Sequence, residues 1–134
     1  MIPEGFVSIS ATCPDIIISS NYATPENFTG GVVDGYRRVE AIFSVKGTKA
    51  LCEIQAQAKG LGYRLKIFDA YRPVKAVKYF QEWAKLPETN PTLKELHYPT
   101  FTKQQLFERG YIAERSSHSR GSALDLTLVE ANGV

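Results

Sequence analysis

Cysteine and long apolar runs are both scarce in this sequence, and each scarcity removes a class of function. The two cysteines, Cys13 and Cys52, lie far apart and form no C-x-x-C pair. Neither a zinc ribbon nor a dithiol redox motif is indicated, and both read as buried thiols. No apolar stretch approaches a membrane span, and Ile16-Ile17-Ile18 is only the core of a short strand. An excess of one charge is missing too. The 16 basic and 14 acidic residues leave +2, too small and too evenly spread for a nucleic-acid or anionic-membrane surface. The first residues lack the basic, apolar and small-residue order of a signal peptide. The expectation is a cytoplasmic protein, or a periplasmic one if a leader has been removed.

What is present describes an ordinary globular domain. A chain of 134 residues, 43% hydrophobic and 22% charged, is expected to form one domain with a real core. Residues 1–20 read as extended around Phe6, Val7 and Ile9, with Pro14-Asp15 turning into the isoleucine run. Residues 20–35 have loop composition, and Tyr22 and Phe28 in them suit anchoring to a core. Leu51, Ile54, Ala58 and Leu61 form a helical stripe closed by Gly60 and Gly62. Tyr63 to Phe68 alternates as a strand and delivers Asp69-Ala70-Tyr71-Arg72 at its end. Pro73 then suits the first turn of a helix with Val74, Val77, Phe80, Trp83 and Ala84 on its buried side. Residues 86–100, with three prolines, read as a second long loop whose His97 is a surface imidazole. Thr102-x-x-Gln105 has the form of a capping box before a short helix that ends at Gly110.

The stretch richest in chemistry is Ser116-Ser117-His118-Ser119-Arg120-Gly121-Ser122-Ala123-Leu124-Asp125-Leu126-Thr127-Leu128. From Ser122 to Val129 it alternates as a strand, with Leu124, Leu126 and Leu128 on one face and Asp125 on the other. Gly121 lets the chain turn, so His118 can return beside Asp125. The two could share a metal ion, since imidazole nitrogen and carboxylate oxygen are zinc donors. They could equally be a hydrogen-bonded histidine and an aspartate that satisfies loop amides. Arg72, at a strand-to-helix junction, has two readings as well: an ion pair with Asp69 that fixes the junction, or part of a functional charged cluster at the strand end.

Ser-x-His-x-x-Gly-x-Ala-x-Asp resembles the zinc-binding signature of the D,D-peptidases that cut D-Ala-D-Ala termini, and this version resembles their dipeptidase branch, peptidase family M15. Ser119-Arg120 stands where the related carboxypeptidases usually carry a glutamine. The likeness extends upstream through Phe68-Asp69-Ala70-Tyr71-Arg72-Pro73 and Tyr22-Ala23-Thr24-Pro25-Glu26-Asn27-Phe28-Thr29-Gly30. It implies an α+β fold with a small, mostly antiparallel sheet packed by helices. It also implies a Zn2+ cofactor held by His118 and Asp125, an oxyanion-stabilising Arg72, and Tyr22 and Ser116 as substrate contacts. The implied substrate is the small molecule D-Ala-D-Ala, with no nucleic-acid partner and no membrane span.

The family's remaining zinc ligand and general base lie in a Glu-x-x-His string well after the aspartate, and no such string follows Asp125 here. Glu114 and Glu130 lie near the motif without a histidine at that spacing. The expectation is a single zinc D,D-dipeptidase domain whose C-terminal part is missing from this sequence. A D,D-carboxypeptidase acting on peptidoglycan peptides is the alternative enzyme. A catalytically dead module that binds peptidoglycan fragments is the alternative outside enzymology.

Overall fold

A computed structural model describes residues 2–112 and 115–132. In chain order the elements are β1 (Phe6–Ser8), α1 (Ile9–Thr12), β2 (Ile17–Ile18), a 3-10 turn (Asn21–Ala23), β3 (Ile42–Ser44), α2 (Val45–Gly60) and β4 (Tyr63–Asp69). They continue with α3 (Val74–Lys85), α4 (Pro91–His97), α5 (Lys103–Glu108), a second 3-10 turn (Ser117–Arg120) and β5 (Asp125–Glu130). The mixture of helices and small sheets is the α+β class that the sequence implies. The described residues divide into two compact units, one of residues 2–20, 39–72 and 117–132, the other of residues 21–38, 73–112 and 115–116.

Among the described residues, the first unit holds all the strands. β1 pairs antiparallel with β3, while β4 is the centre of a second sheet, parallel to β2 and antiparallel to β5. Alternation along β4 puts Leu65, Ile67 and Asp69 on its buried side. α2 packs over that side through Thr48, Leu51, Gln55 and Ala58. The stripe expected from the sequence is therefore rotated, and Ile54 and Leu61 face solvent. Of the polar residues on that face, Gln55 has a partner through its oxygen: Oε1 accepts the Leu65 N–H at 2.8 Å. Cys13 and Cys52 correct the reading of two separate thiols. They form a disulfide that ties the end of α1 to α2, with Cα atoms 5.7 Å apart. β5 is one edge of this sheet; Leu124, just before it, packs on the core while Leu126 and Leu128 stay 43% and 55% exposed.

The second unit has an aromatic core. Val33, Tyr36, Ala76, Phe80, Trp83, Tyr98, Leu106 and Ile112 are its buried residues. Pro73 caps α3, whose buried residues are Ala76, Val77, Phe80 and Trp83, while Val74 is exposed. The loop expected over residues 86–100 contains a two-turn helix, α4. Asn90 caps it through its side chain to the Leu93 N–H, and Pro91 occupies the first turn. The capping box at Thr102 and Gln105 is present in full. Asn27 organises the loop around it. Its amide donates to the carbonyls of Asn21, Thr24 and Gly31, and its own oxygen accepts from Thr29.

Candidate active site

Four residues of the first unit converge at the C-terminal end of β4. Asp69 ends that strand and Arg72 follows three residues later, before the helix that Pro73 starts. The 3-10 turn Ser117–Arg120 brings His118 alongside: its carbonyl accepts the backbone N–H of Arg72 at 3.0 Å and that of Gly121 at 3.1 Å. Gly121 has to be glycine. Its φ is +74°, and a Cβ there would come within 2.5 Å of the Phe6 ring. The turn it makes feeds the chain into β5, whose first residue is Asp125.

A β-bulge completes the convergence. Leu65 to Ile67 pair residue for residue with Leu128 to Leu126, but one further step along β5 answers two steps along β4. Asp125 is thereby set opposite Asp69, which regular pairing would have denied it.

The resulting geometry gives each group a distinct place. His118 Nδ1 donates to the Ala70 carbonyl at 3.0 Å, so the proton sits there and Nε2 is the basic nitrogen. Nε2 lies 3.4 Å from Asp125 Oδ1. Arg72 directs Nε and Nη2 at one oxygen of Asp69, Oδ2, at 3.0 and 2.8 Å. Its Nη2 is also 3.8 Å from Asp125 Oδ2. Asp69 is buried, His118 and Arg72 nearly so, and Asp125 is half exposed. Among the described residues, Asp69, His118 and Asp125 form the group able to offer a metal ion three ligand atoms, all within 4.8 Å of one another. A histidine whose second nitrogen is fixed by a backbone carbonyl is the usual arrangement at a metal.

Of the residues that the sequence singled out, the structure brings together His118, Asp125 and Arg72. Tyr22 and Ser116 belong to the second unit. Tyr22 packs there against Phe28, Tyr36 and Phe80, and Ser116 is half-buried. His97 is exposed at the end of α4, and Glu130 is exposed at the end of β5. Glu114 lies outside the described residues. In the sequence, Asp69 is legible only as a partner for Arg72. Its place opposite Asp125 depends on the bulge, which leaves no local signal.

The sequence model of the family described as D-ala-D-ala dipeptidase, peptidase M15, matches residues 3–134. The chain belongs to this family. Its members are metallopeptidases. A D-alanyl-D-alanine dipeptidase of Enterococcus faecalis is 46% identical over 126 residues, which cover 93% of this chain and 61% of that protein. One of Enterococcus faecium is 43% identical over 128 residues, with shares of 92% and 61%. One of Streptomyces coelicolor is 46% identical over 113 residues, with shares of 81% and 54%. The chain thus spans about three-fifths of the length of the first two relatives.

Proposed function

We propose that this chain carries the zinc-binding and oxyanion-binding part of a D,D-dipeptidase that hydrolyses the amide of free D-Ala-D-Ala. The observation that carries this reading is the meeting of His118, Asp125 and Arg72 in a chain 46% identical to a D-alanyl-D-alanine dipeptidase. The 3.4 Å between His118 Nε2 and Asp125 Oδ1 supports a shared ion. Two donors bonded at about 2.1 Å to a tetrahedral zinc lie about 3.4 Å apart. Zinc held there would polarise the scissile carbonyl and lower the pKa of a bound water towards neutrality.

The chain's own residues have the remaining tasks. His118 presents Nε2 because Ala70 holds its other nitrogen. Arg72, largely screened from solvent, keeps a cation beside Asp125, where charge-assisted hydrogen bonds to a tetrahedral oxyanion would be strong. Tyr22 and Ser116 would position the dipeptide, and the general base and third ligand would come from a Glu-x-x-His string beyond residue 134.

The test is D-alanine release by the intact gene product, with metal content measured alongside. Free D-Ala-D-Ala should be cleaved, and a pentapeptide ending in the same pair should be refused, since a dipeptidase pocket closes over both substrate termini. His118→Ala and Asp125→Ala should each lose the roughly one zinc per chain expected of a single catalytic site. Efficient release from the pentapeptide would move the protein to the carboxypeptidase branch.

A further inference from the structure

We infer that Asp69 is a positioning residue that aims the Arg72 guanidinium, and that it is not a metal ligand. The inference rests on the dipeptidase reading for the reaction, but its geometry stands apart from it. A carboxylate only 2% exposed is costly to keep charged unless opposite charge and hydrogen bonds compensate it. Arg72 compensates it with two donors on one oxygen, at 3.0 and 2.8 Å, which fixes the edge of the guanidinium plane rather than a single point. Asp125 competes for the same Nη2 from 3.8 Å and is the more solvated of the two. Asp69 therefore decides where the cation sits.

The donor geometry argues against ligation. Asp69 Oδ2 approaches His118 from the Nδ1 side, at 3.7 Å, where the proton shared with the Ala70 carbonyl already lies. Asp125 approaches from the Nε2 side. An ion on Nε2 would thus have Asp125 as its nearer carboxylate, with Asp69 Oδ2 on the Nδ1 side of the ring. Oδ2 is in addition taken up by Arg72. The neutral isostere Asp69→Asn keeps the shape but releases the cation.

A double-mutant cycle on the intact gene product, of Asp69→Asn, Arg72→Ala and both together, tests this with three readouts: bound zinc, kcat and KM on D-Ala-D-Ala, and affinity for a phosphinate analogue of the dipeptide. Asp69→Asn alone should keep its zinc, lower kcat by about 10- to 100-fold with little change in KM, and weaken the phosphinate by a similar factor. In the Arg72→Ala background the same substitution should cost almost nothing further, because the group it positions is already gone. Loss of zinc in Asp69→Asn would make Asp69 a ligand and overturn the inference. Equal losses in both backgrounds would reduce it to a structural carboxylate. If no variant, nor the unsubstituted protein, turns over the dipeptide, the reaction is misassigned. The phosphinate and zinc data would then still decide Asp69.

Discussion

Tyr98 shows how far one side chain's surroundings can move its chemistry. The ring is buried in the aromatic core of the second unit, and its hydroxyl donates to Glu88 Oε2 at 3.1 Å. Burial, then the bond to Glu88 and the charge of that carboxylate, push the phenol up from 10.0 to about 12. The folded protein therefore keeps this proton where the unfolded chain has given it up. Its contribution to stability is complete below pH 10 and is lost as the pH rises towards about 12. Thermal unfolding measured across that interval should show a decline, and Tyr98→Phe should remove part of it. An identical decline in the variant would mean that the phenol titrates normally. Lys103 in the same unit is also perturbed. Burial lowers its pKa against the opposing pull of Glu88. Its ammonium lies 4.1 Å above the Trp83 ring and donates to the Trp83 carbonyl at 3.0 Å, closing the end of α3. Neither environment can be read from neighbours in the sequence, because each is assembled from residues in separate helices and loops.

At the scale of elements, the disulfide between α1 and α2 carries the largest testable effect. Its sequence separation of 39 residues corresponds, by chain-entropy scaling, to about 4 kcal/mol of stabilisation through the unfolded state. Cys52→Ser, or strong reductant, should lower the denaturation midpoint accordingly, and an unchanged midpoint would show that the sulfurs are not joined in solution. Nothing in the spacing of Cys13 and Cys52 disclosed the pairing, since it is set by how α2 packs over the strands. The strand end at Asp69, the turn at Gly121 and the capping box at Thr102 were legible because each is a local pattern. α4 had local signals as well, Asn90 followed by Pro91, but the density of prolines around them reads as a loop. The buried face of α2 was misjudged because hydrophobicity favours Ile54 and Leu61, whereas the fold buries Thr48 and the hydrogen-bonded Gln55. His118, Arg72 and Asp125 could be found from motifs. The bulge that sets Asp69 opposite Asp125 is a property of two strands together, and no single stretch encodes it.

At the scale of the whole molecule, residues 1–134 alone should bind zinc weakly and release no D-alanine. His118 and Asp125 give one nitrogen and one oxygen ligand, and a well-held catalytic zinc has three protein ligands. Metal analysis after dialysis, beside a D-alanine assay, checks this, and full activity would require the third ligand and base to lie within these residues. The disulfide has a further consequence, for the chain as a covalent object. Cys13 and Cys52 close a ring in the polypeptide, and the ring includes Arg37 and the exposed Arg38, the last residue of a segment of the second unit. A tryptic cut after Arg38 opens the ring but does not part the molecule, because each piece holds one of the two sulfurs. The nicked protein should migrate as one band without reductant and as two with it, so a gel run only without reductant would record damaged protein as intact.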